Sequence, residues 1–197
     1  MTQLTLPGIE VPQRAVARAL SRHVFFAVMP DPETAARVAH TVGGLRSGLQ
    51  IEAPMLLTGR LHISLQHLSD FARMPEGAVA DACAAAATID IPPFDVSFDR
   101  VVSFEGRQGN FPLVLKGGTE PGELTALQQT LGRALARKGL RVSRRRFTPH
   151  LTLLYEKRRF GPRAIEPVTW TVHEFVLIDS WVGKTHYDIK GRWSLKG

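Results

Sequence analysis

The chain has 197 residues, 44% of them hydrophobic and 22% charged, the balance of an ordinary globular protein, which excludes disorder over most of its length. Twenty-five Lys and Arg against 18 Asp and Glu give a formal charge of +7, which favours polyanionic partners through phosphate attraction and counterion release. The single cysteine, Cys83, excludes a disulfide framework and a cysteine-based zinc site.

Residues 1–20, with Pro7, Gly8 and Pro12, read as an N-terminal extension, in which a basic stretch from Arg14 to Arg22 has room for one or two helical turns. Met1 to Gln13 lacks the basic start and apolar core of a secretion signal, and no apolar run reaches the ~18 residues of a membrane span. The expectation is a cytoplasmic protein with no membrane partner. The body, residues 21–197, reads as one bilobal domain. It opens with a β-rich run, His23 to Met29, stopped by Pro30-Asp31-Pro32. Asp31 is placed to cap a helix with Pro32 at its first position, and the helix is expected from about Pro32 to Arg46. A strand near 50–53, a loop over 54–60 and a strand from Leu61 to Leu68 follow, then an Ala-rich helix from Glu76 to Thr88 closed by Pro92-Pro93.

The period then changes to alternation at Phe94, Val96 and Phe98. After Val101 to Phe104, the loop Glu105 to Asn110 leads into Phe111 to Lys116, a hairpin-like pair. Leu124, Leu127, Leu131 and Leu135 recur at three- and four-residue steps up to Gly139, which marks the longest helix and its stop. An Arg-rich turn precedes a strand over Phe147 to Tyr155. Trp170 to Val182 and His186 to Leu195 read as two final strands joined at Gly183-Lys184.

Within this pattern one motif occurs twice: His62-Ile63-Ser64-Leu65 and His150-Leu151-Thr152-Leu153. Given the chain's 7 His and 44% hydrophobic content, His, apolar, Ser or Thr, apolar is expected about 0.16 times by chance, and two copies about once in a hundred. In a strand the imidazole and hydroxyl of each copy share a face. Two such imidazoles facing one another supply both halves of acid–base catalysis, one neutral and accepting a proton, one charged and donating. Phosphodiester hydrolysis needs that pairing, together with donors such as Ser64 and Thr152 for the phosphoryl oxygens. The blander alternative is two buried strands that each carry a satisfied core His. Arg141 and Arg144 to Arg146 before the second copy, and Lys157 to Arg159 after it, put positive charge beside that strand or else form a solvated loop.

These residues resemble the 2H phosphoesterases, and within them the RNA 2′,3′-cyclic phosphodiesterases once named 2′-5′ RNA ligases (LigT-like). The resemblance rests on the opening strand His23-Val-Phe-Phe-Ala-Val28 with Pro30-Asp31, on Leu61 to Leu65, on Arg146-Phe147-Thr148-Pro149-His150-Leu151-Thr152-Leu153 and on the closing strand Tyr187 to Trp193. It implies an α+β bilobal fold of two antiparallel sheets flanked by helices around a central cleft. It also implies hydrolysis of 2′,3′-cyclic phosphate ends to 2′-phosphates without metal or cofactor, with reversible 2′-5′ joining in some members. The implied catalytic pair is His62 and His150, with His150 as base and His62 as acid, and the implied phosphate ligands are Ser64 and Thr152. The implied partners are RNA ends, tRNA-derived ones among them, or cyclic nucleotides, met by a monomer.

The chain departs from many relatives at His67, where they carry an apolar or aromatic residue, and at Tyr155, where some carry Arg. Tyr155 is a candidate to stack on a base, and Arg146 or Lys157 to supply the missing charge. Regular alternation points His67 away from His62, and Tyr187 and Trp193 read as core, with a place lining the cleft as the alternative for Tyr187. A second reading of the whole chain is a non-catalytic nucleotide- or RNA-binding module on the same fold.

Overall fold

The structure, a computed structural model, describes residues 22–71, 76–117, 122–143, 146–181 and 187–197. The extension 1–20 and the expected turn at Gly183-Lys184 lie outside them. Among these described residues eight strands and three α-helices follow in chain order: β1 (Arg22–Val28), α1 (Pro32–Leu49), β2 (Ile63–Phe71), α2 (Glu76–Ala86), β3 (Phe94–Ser103), β4 (Phe111–Lys116), α3 (Gly122–Arg137), β5 (Leu151–Glu156), β6 (Arg163–Val172), β7 (Glu174–Trp181) and β8 (Tyr187–Ser194). No helix among the described residues is long and apolar enough to cross a membrane.

Local chemistry accounts for the element ends. Asp31 caps α1 by accepting from the Thr34 N–H at 2.8 Å, as its place before Pro32 predicts. The helix runs three residues past the expected end and stops at Gln50, whose left-handed φ of 50° turns the chain. The strand expected at 50–53 does not form. Its Glu52 and Ala53 N–H groups donate to the Glu156 carboxylate, each at 3.2 Å, so a side chain takes the place of a ladder. The expected strand from Trp170 to Val182 is two strands, broken at His173, because β6 and β7 pair with different neighbours.

The strands form one antiparallel ladder in the order β6-β3-β4-β5-β2-β1-β7-β8. The two separate sheets expected from the sequence are therefore two four-stranded halves of one sheet, and β2 and β5 join them through a single residue pair, Ile63 with Leu151. The halves are not successive stretches of chain. β3 to β6 make one, while β1 and β2 are completed by the C-terminal β7 and β8. One apolar core links all three helices to the sheet, from Val38 and Ala82 through Leu127 to Phe26 and Leu151. On the opposite face Phe25, Ala27, Val176 and Ile178 form a smaller cluster, and Tyr187 packs against it.

Candidate active site

The junction of the two halves brings both motifs together. Ile63 and Leu151 are fully buried and face the core, so alternation turns His62, Ser64, His150 and Thr152 to the other, open face. In an antiparallel register each imidazole then lies across from the hydroxyl of the other motif. Both His residues precede their strands by one position.

The two imidazoles are held alike. His62 Nδ1 lies 2.8 Å from the Arg60 carbonyl and His150 Nδ1 lies 2.7 Å from the Thr148 carbonyl. A carbonyl only accepts, so each Nδ1 carries the proton and donates, which leaves each Nε2 as the working nitrogen. Each ring also packs on a phenylalanine: His62 on Phe25 with centroids 5.0 Å apart, His150 on Phe104 at 4.8 Å. Burial pushes both imidazoles below the ordinary histidine value, while the carbonyl bonds pull back upward. His62 is lowered further by the charges of His150 and Arg60, so the two rings share one electrostatic site.

Two more residues lie beside His62, Tyr187 and Arg60, the second of which the sequence does not mark. Tyr187, expected in the core, lies with its hydroxyl 3.4 Å from His62 Nδ1 and its ring edge-on to the imidazole, centroids 5.7 Å apart. The Arg60 guanidinium sits 4.6 Å above the Tyr187 ring, and its buried Nε has no hydrogen-bond partner. Burial raises the Tyr187 phenol and the Arg60 charge opposes it. The available signal was spacing, since Arg60 stands two residues before His62, where its carbonyl can orient the ring.

Register irregularities decide the next residues. Ala27 pairs with Ser64 and Phe26 with Gln66, which leaves Leu65 as a bulge; Val114 pairs with Thr152 and Leu113 with Leu154, which leaves Leu153 as another. Each bulge resets the alternation by one residue. His67, expected to point away from His62, therefore shares its face, paired beside Phe25 and with its ring 5.8 Å from that of His23. Tyr155 likewise returns to the face of Thr152, is 47% exposed, and bears electrostatically on Tyr187 across the junction. Trp193 keeps its expected core place, 5.4 Å from Phe175. Arg146 is placed elsewhere, lining a cavity beneath α3 on the helix side of the sheet. Among the described residues no three His, Cys, Asp or Glu side chains come together as a metal set.

The profile of the 2′-5′ RNA ligase superfamily matches residues 30–183. The chain belongs to that superfamily. This member is similar in structure to E. coli LigT in its apo form, at 24% identity over 90% of this chain and 99% of that one, with a TM-score of 0.69. The same enzyme complexed with 3′-AMP matches at 23% identity, 90% and 99% coverage and a TM-score of 0.70. The Thermus thermophilus protein TT0787 matches at 21% identity, 89% and 98% coverage and a TM-score of 0.69. These likenesses establish the α+β LigT-like fold. No curated protein matches the sequence.

Proposed function

We propose that this superfamily member is an RNA 2′,3′-cyclic phosphodiesterase that uses His62 and His150 as a proton-transfer pair and leaves a 2′-phosphate. The observation that carries the reading is the single pair Ile63–Leu151 flanked by two imidazoles, each held at Nδ1 by a backbone carbonyl with Nε2 free to work. The complex of the structurally similar E. coli LigT with 3′-AMP lends support, because a nucleotide is the kind of ligand the reaction requires. Residues 21–197 act as one bilobal domain in which a single copy of the chain contributes both imidazoles.

The reaction balances over the two rings. A water oxygen bonds to phosphorus while His62 Nε2 takes its proton, and the bond from phosphorus to O3′ breaks as His150 Nε2 returns a proton to that oxygen. The roles are opposite to those the resemblance implies. Burial lowers both rings, and the Arg60 cation further favours the neutral form of His62, which is the form a base needs; at His150 the substrate's phosphate charge offsets burial by favouring the imidazolium. The Ser64 and Thr152 hydroxyls donate to the non-bridging oxygens as charge builds there. Arg60 supplies the fixed positive charge at the His62 end, and exposed Tyr155 offers a face on which a base can stack.

Purified protein should convert a nucleoside 2′,3′-cyclic phosphate to the 2′-phosphate in the presence of EDTA, followed by chromatography of the products. No turnover, turnover only with added metal, or a 3′-phosphate product would each overturn the proposal.

A further inference from the structure

The proposed reaction gives no part to Tyr187, which opens β8 and stands beside His62. Its hydroxyl oxygen lies 3.4 Å from His62 Nδ1, and the Arg60 carbonyl lies 2.8 Å from the same nitrogen. Because Nδ1 carries the proton, the phenol can only accept there. Two acceptors thus converge on one N–H. They come from residues that also touch each other, since the Arg60 guanidinium sits 4.6 Å above the Tyr187 ring. The arrangement closes on itself: the Arg60 backbone holds the imidazole, the imidazole meets the phenol, and the phenol ring seats the Arg60 guanidinium.

Packing alone does not call for a hydroxyl at this place. The Tyr187 ring lies edge-on to Phe25, centroids 6.0 Å apart, and against the apolar cluster of β1 and β7, contacts that a phenylalanine makes equally well. Burial raises the phenol, so it stays protonated and neutral wherever imidazoles titrate. As His62 takes a proton at Nε2, the positive charge spreads over the ring and makes Nδ1–H the stronger donor, and an acceptor already in place favours that charged form. Arg60 and His150 act the other way on His62. The remaining titratable groups on that face, among the described residues, are His67 farther along β2, His23 beside it on β1, and Tyr155, which bears on Tyr187.

We infer that Tyr187 is a positioning residue for the base: its hydroxyl oxygen accepts from His62 Nδ1 alongside the Arg60 carbonyl, keeps Nε2 turned to the reacting phosphate and favours the imidazolium formed when water gives up its proton. The inference rests on the reading of His62 as base and adds to it the group that keeps this ring basic beside a cation.

Tyr187→Phe keeps the ring contacts and removes the hydroxyl alone. Long-range proton–nitrogen correlation NMR on histidine-labelled protein reads the tautomer and titration of each imidazole without turnover, and His62→Gln identifies the His62 signals. In Tyr187→Phe the His62 titration should move to lower pH, with that of His150 displaced far less. On a 2′,3′-cyclic nucleotide kcat should fall about threefold with KM changed less than twofold. The acid limb of kcat/KM against pH should move to lower pH, opposite to what loss of the Arg60 charge gives. A His62 titration that stays in place or rises, or an equal displacement of both rings, overturns the inference. So does a loss confined to KM, which would make Tyr187 a substrate contact. A native protein without turnover, in which Tyr187→Phe still displaces His62 selectively, would remove the proposed reaction and leave the hold on His62 standing.

Discussion

The two motif strands are built on one plan and set in unlike surroundings. Each places an imidazole one residue before its strand, fixes Nδ1 on the carbonyl two residues back and backs the ring with a phenylalanine. Around His62 there is in addition a cation, Arg60, stacked on Tyr187, whose hydroxyl reaches toward the same ring. At His150 burial, opposed by the carbonyl bond, is the main cause, and the repulsion between the two imidazolium charges acts on both rings alike. Equal geometry with unequal charge is what a reaction needs when one proton must be taken and another given. Repeating a motif therefore repeats the orientation of a side chain, while its protonation is set by what the rest of the fold brings alongside.

Replacing either imidazole breaks the comparison most severely. His62→Ala and His150→Ala should each cost about 10²- to 10⁴-fold in kcat on a 2′,3′-cyclic nucleotide, with the double variant little worse than either single one, since the pair acts as a unit. Steady-state kinetics on the three proteins checks this, and additive losses would show that the rings act independently. Arg60→Gln should lower kcat/KM about tenfold through the lost phosphate charge. It also removes a charge that holds His62 low, so the acid limb of kcat/KM against pH should move to higher pH while the alkaline limb, set by His150, stays in place. If both limbs move together, or the alkaline one alone does, the assignment of base and acid is wrong.

In the native protein both limbs should lie on the acid side of an ordinary histidine pair, because burial lowers both rings. The kcat profile should sit further toward alkaline pH than that of kcat/KM, as bound phosphate raises the rings again. Tyr155→Ala should raise KM for a cyclic nucleotide a fewfold and leave kcat nearly unchanged, the signature of a stacking contact.

The smallest effect falls away from the chemistry. Glu156→Leu strands the N–H groups of Glu52, Ala53 and Lys157 and should cost about 1–2 kcal/mol of stability in urea titration. Those bonds hold the Glu156 carboxyl below its ordinary value. Its contribution is therefore present above the unfolded value and lost as pH falls through the lowered folded one, so native and variant stabilities should converge in acid.

Much of this is legible in the sequence because it is local. The Asp31 cap, the leucine repeat of α3 and the paired motifs each show within a few residues, and their spacing maps directly onto one face of an element. Sequence reasoning fails wherever a distant partner intervenes. Unbroken alternation misplaces His67 and Tyr155, because single-residue bulges at Leu65 and Leu153 reverse the face for both. The lost strand at 50–53 depends on a carboxylate about a hundred residues away. Tyr187 reads as core because an aromatic on an alternating strand usually is; its place beside His62 follows from β7 and β8 returning to flank β1.

That return has a consequence for how the protein comes into being. During synthesis β1 and β2 emerge before β3 to β6, yet the neighbour of β1 on its far side is β7, which follows all of them. Until β7 leaves the ribosome, β1 remains an unpaired edge that invites association with other chains, and Tyr187, on the strand after it, has not reached His62. A nascent chain can complete β3 to β6 beforehand, but it cannot assemble the surroundings of its first imidazole until β7 and β8 have emerged.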